Sequence, residues 1–131
     1  MTAVDQVHAL WAAYATGGAL ATLEHVDDDC EWIMSREFPE ARGVRGAAEM
    51  REYLERLTRD GIRFEPSLHT CEQVGEHAVL VGGRMRIVSR AALSDSPLFW
   101  VYRTRDERVI RIESYPSRRE ALDAVGRLAA A

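Results

Sequence analysis

The feature that most constrains the fold is a pair of strand patterns near the C-terminus, joined by a charged turn. The first pattern is Pro-Leu-Phe-Trp-Val-Tyr-Arg-Thr from Pro97, and the second is Val-Ile-Arg-Ile-Glu-Ser-Tyr ending at Tyr115. Aromatic and β-branched residues on both sides of a short polar turn are typical of a hairpin. Ser117 and Glu120 then have the spacing of a capping box, which predicts a C-terminal helix. The remaining chain must therefore cover one face of this hairpin.

The N-terminal half predicts helices. Thr2 and Asp5 also have capping-box spacing, and apolar residues recur at helical intervals as far as Tyr14, before the Gly17-Gly18 pair ends this helix. A short second helix is predicted over 20–26, ending in an Asp-rich turn. Residues 47–59 carry the clearest amphipathic pattern in the chain.

Strand patterns dominate the second half, over 64–74 and 78–89, and a shorter strand is predicted over 30–34, followed by a loop over 35–46. Helices followed by a meander indicate an α+β domain, with helices on one face of a curved antiparallel sheet. With 131 residues, of which 47% are hydrophobic, the chain suits a single domain over 1–131.

Composition excludes several partners. The net charge of −4 and the scattered arginines offer no basic patch for nucleic acid. No window approaches the roughly 18 apolar residues of a membrane span, and the N-terminal residues lack a signal-peptide pattern. Cys30 and Cys71 have no CxxC partner, so neither a disulfide framework nor a zinc site is expected. We therefore expect a cytoplasmic protein with reduced thiols.

The order of these patterns resembles the NTF2-like superfamily and, within it, the SnoaL-like group. The matching motifs are Tyr-Ala-Thr-Gly-Gly-Ala-Leu at 14–20, Asp-Asp-Cys-Glu-Trp at 28–32, Gly-Val-Arg-Gly at 43–46, Pro-Leu-Phe-Trp-Val-Tyr at 97–102 and Tyr-Pro-Ser-Arg-Arg-Glu-Ala-Leu at 115–122. The resemblance implies a cone-shaped, curved antiparallel sheet wrapped around N-terminal helices, with a short C-terminal helix, an apolar pocket and commonly a homodimer. Ketosteroid isomerase, limonene epoxide hydrolase, scytalone dehydratase, polyketide cyclases and non-enzymatic modules share this fold, so the fold does not choose the function.

The catalytic groups of these relatives are not found at the aligned positions. Ketosteroid isomerase chemistry needs a carboxylate base, a Tyr and a protonated Asp, but the alignment places Met34, Leu10 and Phe99 there. The Asp-Arg-Asp arrangement of limonene epoxide hydrolase is not visible on the predicted inner face. A His frequent in the SnoaL-like Pro-Leu-x-His strand is replaced by Trp100.

His69 is the remaining candidate acid or base, because it lies in the middle of a strand and could face the pocket. His8, His25 and His77 fit surface positions. The Asp27-Asp28-Asp29 run fits a solvated turn better than a metal site, so no metal or cofactor is expected. Cys30 fits a buried structural thiol better than a nucleophile.

Two groups of side chains form the predicted pocket and the predicted partner surface. The expected ligand-binding residues are Tyr14, Trp32, Met34, Phe38, Tyr53, Phe99, Val101 and Ile112. A plain solvent-exposed face seldom carries three large aromatic residues, so we expect a homodimer through the outer face of the hairpin. The expected interface residues are Trp100, Tyr102, Arg111, Glu113 and Tyr115.

Three functions remain open from sequence. The first is a pocket that binds a small hydrophobic or aromatic molecule, with catalysis unassigned. The second is a polyketide cyclase, isomerase or hydrolase that uses a non-standard acid or base such as His69. The third is a non-catalytic dimerisation or protein-interaction module with a filled core.

Overall fold

The structure is a computed structural model, and it describes residues 2–35, 38 and 43–130, with side chains as far as residue 126. The elements in chain order are α1 (Ala3–Ala21), a 3-10 turn (Thr22–His25), β1 (Val26–Ile33), β2 (Gly43–Arg45), α2 (Ala47–Arg59), β3 (Arg63–Gly75), β4 (Ala78–Val88), β5 (Leu93–Arg105), β6 (Arg108–Tyr115) and α3 (Arg118–Ala130). The predicted helix over 47–59 and the four-strand meander are confirmed.

The strands form one six-stranded sheet in the order β2-β1-β6-β5-β4-β3. Neighbours are antiparallel except for β1 and β6, which run parallel. A parallel pair needs a long crossover, and here α2 and four strands separate the two partners along the chain. The α+β class with a curved sheet, an N-terminal helix and a short C-terminal helix is confirmed.

The helices cover both faces of the sheet, which corrects the expectation that they share one. Side chains of α1 and α2, such as Val7 and Met50, pack with Val79 and Val81 of β4 on the concave face. Ala121 of α3 packs with Leu80, the intervening residue of β4, on the other face. Because successive side chains of a strand point to opposite faces, one sheet serves two separate cores.

The first helix begins where its sequence indicates, but the glycine pair breaks the helix instead of ending it, and α1 continues to Ala21. Thr2 and Asp5 form a reciprocal capping box, with both hydrogen bonds at 3.1 Å. Gly18 interrupts the helix with a φ of 78°, a backbone conformation in which glycine carries no steric penalty. The chain after Gly18 completes one more helical turn in a new direction.

The second helix predicted over 20–26 is shorter than expected, because β1 already begins at Val26. Val26 pairs with Val109 of β6, and the strand is irregular between Val26 and Glu31. The side chain of Asp27 accepts a hydrogen bond from the Asp29 N–H at 3.0 Å within this irregular stretch. The Asp-rich segment is therefore a bulged part of a strand.

A short strand was missed in the predicted loop over 35–46. Val44 of β2 pairs with Trp32 of β1, which extends the sheet at its edge. Residues 36, 37 and 39–42 of this predicted loop lie outside the described residues.

The charged turn of the hairpin is confirmed between Arg105 and Arg108. Asp106 and Glu107 both have positive φ, at 50° and 64°, as in the two-residue turns whose twist matches that of the flanking strands. In the part of the chain that the structure describes, no helix is long and apolar enough to cross a membrane.

Two glycines allow β3 to approach β4 closely. The pairing of β3 with β4 shifts register between Leu68 and Thr70, opposite Gly82 and Gly83. A Cβ at Gly82 would lie 2.6 Å from the Thr70 hydroxyl oxygen, and a Cβ at Gly83 would collide with the Ser67 carbonyl oxygen. The glycine pair therefore permits the bulge, and bulges bend and twist a sheet.

Replacing Gly83 by Ala should destabilise the fold, because the new methyl group meets backbone that cannot move without breaking the β3–β4 pairing. We expect a loss of about 2–3 kcal/mol in the free energy of unfolding, measured by urea denaturation. Gly126→Ala in α3 is the matched control, because nothing lies within 4 Å of the new Cβ, and it should gain about 0.5–1 kcal/mol. Equal stability of the Gly83→Ala variant and the wild type would contradict this account of the bulge.

Candidate ligand-binding site

The candidate site is a cavity of about 140 Å³ between the concave face of the sheet and the helices α1 and α2. The lining residues are Leu10, Trp11, Tyr14, Ala19, Thr22, Leu23, Trp32, Ile33, Met34, Phe38, Met50, Tyr53, Leu54, Phe64, Pro66, Met85, Trp100, Tyr102, Ile112 and Ser114. No Asp, Glu, His, Lys or Arg occurs among the described residues of this lining. Apolar contact must therefore supply most of the binding energy.

Each helix contributes its apolar face to the cavity wall. Leu10 and Tyr14 are four residues apart on α1, and Met50, Tyr53 and Leu54 follow the same helical spacing on α2. The turn that follows Gly18 adds a third side, formed by Ala19, Thr22 and Leu23. The break in α1 thus closes part of the cavity.

All three tryptophans of the chain line this cavity. Trp11 lies edge to face with Trp100, with ring centroids 5.5 Å apart, and with Tyr14 at 5.8 Å. Phe38 and Phe64 form a further edge-to-face pair at 5.1 Å. Such aromatic pairs contribute stability in addition to that from burial of their surface, so they form a rigid wall. The rings of Trp11, Trp32 and Phe64 are only half-buried, and a ligand could cover their remaining surface.

Some polar groups in the lining have hydrogen-bond partners within the protein, and one does not. The Tyr14 hydroxyl donates to the Phe64 carbonyl oxygen at 3.5 Å. Ser114 accepts a hydrogen bond from the Ser35 N–H at 2.9 Å and donates to the Ile33 carbonyl oxygen at 3.3 Å. By contrast, the indole N–H of Trp11 is buried without a hydrogen-bond partner among the described residues.

Tyr102 is the most deeply buried phenol of the cavity, with 3% of its surface exposed. Burial raises the pKa of its hydroxyl well above the usual value, and the Trp11 N–H acts in the opposite direction. A phenol whose pKa is raised stays neutral near pH 7. Tyr102 can therefore donate a hydrogen bond in the cavity but cannot act as a strong base there.

Six of the predicted ligand-binding residues line the cavity and two do not. The residues that line it are Tyr14, Trp32, Met34, Phe38, Tyr53 and Ile112. Phe99 and Val101 lie on the opposite face of β5, where they pack with Ala121 beneath α3. The prediction for these two residues is wrong, as is the prediction that Trp100 and Tyr102 lie on the outer face, because both line the cavity.

The cause of this error is a bulge in the hairpin. Near the turn, Arg105 pairs with Arg108 and Thr104 with Val109, but farther along Arg103 pairs with Arg111, so Ile110 is skipped. A regular hairpin would instead pair Val101 with Ile112 and place both on the cavity face. Because β6 contains one extra residue, the β5 side chains that would face the cavity in a regular hairpin lie on the opposite face.

Phe64, Met85 and Trp11 also line the cavity, although they are not among the predicted ligand-binding residues. Phe64 and Pro66 of β3 pair with Ile87 and Met85 of β4, so these four side chains lie on the same face of the sheet. The alternation of side chains along these strands could have placed Phe64 and Met85 on the cavity face. Trp11 both packs against the core and lines the cavity.

The candidate acid or base does not reach the cavity. His69 is exposed on β3, at the position skipped in the pairing with β4 between Leu68 and Thr70. The prediction that it could face the pocket is therefore wrong, because the bulge turns this residue toward solvent. Leu10 and Met34, two of the positions aligned with ketosteroid isomerase, do line the cavity and are apolar.

The cysteines and acidic residues of the described chain offer no alternative chemistry. Cys30 is fully buried, and burial raises the pKa of its thiol to about 12, so the reactive thiolate is scarce near neutral pH. Across residues 2–35, 38 and 43–130, no group of three or more His, Cys, Asp and Glu side chains could hold a metal ion.

The outer face of the hairpin carries a buried polar cluster, which we name the Glu113 cluster and which consists of Arg103, Arg111, Glu113 and Tyr115. Glu113 is 2% exposed. Its Oε1 lies 2.6 Å from Arg103 Nε and 3.3 Å from Arg111 Nε, and the Tyr115 hydroxyl donates to its Oε2. Arg103 also donates to the Ala124 carbonyl oxygen of α3 at 3.5 Å.

The Glu113 cluster ties two strands and a helix of one chain together. Arg111, Glu113 and Tyr115 do face away from the cavity, as predicted, but Glu113 is already covered by its own chain. A homodimer through this face stays a prediction.

Removing the carboxylate of Glu113 should destabilise the protein, because two arginines beneath α3 lose their partner. Glu113→Ala should lower the free energy of unfolding by about 3 kcal/mol, measured by urea denaturation. Asp95→Ala breaks the exposed Arg84–Asp95 pair at 2.9 Å and should cost less than about 1 kcal/mol. Equal losses in the two variants would contradict a structural role for the cluster.

Tyr102 and Tyr115 should ionise late in an alkaline titration. Burial raises the pKa of Tyr115 to about 12, with the hydrogen bond to Glu113 adding to the effect, and burial raises that of Tyr102 further. The unfolded chain loses these protons near pH 10, so stability is complete below about pH 10 and falls as the pH rises toward the folded values. Absorbance at about 295 nm should show late ionisation that Tyr102→Phe reduces and that denaturant abolishes. Ionisation of all tyrosines near pH 10 in the folded protein would contradict this.

The fold and the family can be compared with known proteins. The profile of the SnoaL-like domain family matches residues 7–112. No curated protein gives a significant match.

Several solved structures are similar over nearly the whole chain. An NTF2-like protein from Burkholderia thailandensis E264 is 20% identical with a TM-score of 0.77, and the match covers 95% of this chain and 98% of that one. TerC, co-crystallised with polyporic acid, is 17% identical with a TM-score of 0.70, covering 92% and 95%. A candidate SnoaL-like polyketide cyclase from Mesorhizobium loti is 13% identical with a TM-score of 0.71, covering 88% and 99%.

At these identities the solved structures show the fold alone, whereas the family profile spans most of the chain. Its match from Val7 of α1 to Ile112 of β6 includes residues of all six strands of the sheet. The chain belongs to the SnoaL-like domain family, within the NTF2-like fold.

Proposed function

We propose that this protein binds a small hydrophobic or aromatic molecule in the cavity between the sheet and the helices. The observation that supports this most directly is an aromatic cavity of about 140 Å³ whose described lining carries no charged side chain. A cavity of similar volume in another protein holds one benzene molecule. A filled-core interaction module would leave no such space.

The similar structures support the same class of ligand. TerC was co-crystallised with polyporic acid, and the Mesorhizobium loti protein is a candidate polyketide cyclase. For this chain we propose an aromatic, polyketide-like compound. Rings of Trp32, Trp100 and Phe64 would cover its faces through offset and edge contacts.

Binding without catalysis fits the described residues better than an enzymatic reaction does. A cyclase or isomerase needs a group that accepts a proton near neutral pH, and the described lining offers only the hydroxyl groups of Tyr, Thr and Ser for that purpose. Burial raises the pKa values of Tyr14 and Tyr102, which makes both weaker proton donors and keeps both neutral. A neutral buried phenol that does not already donate within the protein suits orientation of a ligand by hydrogen bonding.

A matched ligand series tests the proposal. Naphthalene, 2-naphthol and 2-naphthoate share one ring system and differ in polarity and charge. Burying roughly 200 Å² of ring surface contributes about 5 kcal/mol, so we expect Kd values of the order of 0.1–1 mM for the two neutral compounds. The carboxylate of 2-naphthoate would be buried without a cation, so it should bind at least about 10-fold more weakly.

Tryptophan fluorescence is the direct measurement, since every tryptophan lines the cavity. Ala19→Met adds side-chain volume to the cavity wall and should weaken naphthalene binding by about 5-fold or more. Ala12→Met is the matched control, because Ala12 is exposed on the same helix, and it should bind like the wild type. Absence of binding by both neutral compounds, or equal binding of 2-naphthoate, would overturn the proposed pocket.

A further inference from the structure

The cavity contains one buried hydrogen-bond donor that its own chain does not satisfy. The indole N–H of Trp11 has no hydrogen-bond partner among the described residues. An unpaired buried N–H is costly and uncommon, so this donor needs an explanation. Trp11 is held in place by edge-to-face packing against Trp100 and Tyr14.

Trp11 and Tyr102 line the same cavity, and the Trp11 N–H acts on the hydroxyl of Tyr102. The Trp11 N–H favours the ionised form of that phenol, although burial outweighs it and raises the pKa of Tyr102. An indole N–H can only donate, whereas a phenol can accept one hydrogen bond and donate another. The Trp11 N–H is therefore close enough to act on the phenol oxygen, but it does not complete a regular hydrogen bond to it.

The proton of Tyr102 then has no assigned acceptor. No described residue accepts a hydrogen bond from the Tyr102 hydroxyl, and Tyr102 lines the cavity. The Tyr14 hydroxyl is directed to the Phe64 carbonyl, and the Ser114 hydroxyl to the Ile33 carbonyl. Tyr102 is thus a lining hydroxyl whose proton meets no acceptor among the described residues and can meet a ligand.

We propose that Tyr102 donates a hydrogen bond to a neutral carbonyl oxygen of the ligand, and that Trp11 positions Tyr102 by donating to its phenol oxygen. This inference rests on the proposed function and narrows its ligand class to aromatic ketones and quinones. Hydrogen bonds that are long or misaligned in an empty site commonly tighten when the ligand binds. The Trp11 donor, unsatisfied without ligand, would be satisfied in the complex.

The chemistry of the cavity discriminates against other polar groups. A carboxylate would be buried with no described cation beside it and would have to lose its hydration. A purely hydrocarbon ligand would leave the Tyr102 proton unpaired. A neutral carbonyl oxygen accepts a hydrogen bond from Tyr102 and loses far less hydration free energy than a carboxylate does.

Two ligands of nearly the same shape isolate the hydrogen bond. 2-Acetylnaphthalene carries a C=O group where 2-isopropenylnaphthalene carries C=CH2, so only the first can accept a hydrogen bond from Tyr102. Equilibrium dialysis of both ligands gives the ratio of their Kd values for each variant. In Tyr102→Phe, the ketone should lose about 3- to 10-fold in affinity relative to the alkene, while alkene binding stays within about 2-fold of wild type.

Two further variants distinguish hydrogen-bond donation by Tyr102 from the positioning of Tyr102 by Trp11. Tyr14→Phe should leave the ketone-to-alkene ratio unchanged, because that hydroxyl is directed at the Phe64 carbonyl. Trp11→Phe keeps an aromatic ring but removes the N–H, and it should shift the ratio in the same direction as Tyr102→Phe by a smaller factor. The infrared C=O stretch of bound 2-acetylnaphthalene should move to lower frequency in the wild type, less so in Trp11→Phe, and not in Tyr102→Phe.

The outcomes distinguish this inference from the proposed function. If neither ligand binds the wild type, the proposed pocket fails and the inference fails with it. If the alkene binds but the ratio in Tyr102→Phe equals that of wild type, the inference is overturned and the pocket survives. A bound ketone whose C=O stretch matches that in hexane would overturn the inference from the wild type alone, even if the variants did not fold.

Discussion

The bulge at Ile110 is the constraint on which the arrangement of this protein depends. By skipping one residue between the Arg103–Arg111 and Thr104–Val109 pairs, it sets Trp100 and Tyr102 on the cavity side and Val101 on the side of α3. A one-residue change in pairing exchanges the two faces of a strand. Without the bulge, Val101 and Phe99 would face the cavity and two large aromatic residues would face α3.

The Glu113 cluster holds this pairing in place from the other side of the sheet. A slip of β6 against β5 would carry Glu113 toward the apolar cavity and separate it from Arg103, which lies 2.6 Å away. Moving an unpaired charge into an apolar environment is far more costly than losing a surface contact. The cluster can therefore select one register even if its net contribution to stability is small.

Much of the fold could be predicted from local pattern, because its elements carry strong local signals. The capping box of Thr2 and Asp5, the amphipathic spacing in α2 and the charged turn at Asp106–Glu107 each act within a few residues, and all three were identified. The strand β2 could not be recognised, since Gly43–Arg45 is a strand only through its pairing with β1. The prediction of which β5 side chains face the cavity was wrong for a similar reason, because a bulge depends on the pairing with a partner strand. His69 was misplaced by the other bulge, between β3 and β4.

Gly18 has a consequence for how the binding site can diverge among related chains. Its positive φ separates the segment carrying Ala19, Thr22 and Leu23 from the rest of α1, and this segment forms a wall of the cavity outside the six-stranded sheet. Substitutions there alter the volume offered to a ligand while leaving every strand register untouched. Because of the backbone break, substitutions can change the size of ligand that the cavity accepts without changing the sheet, so related chains with the same fold can bind compounds of different sizes.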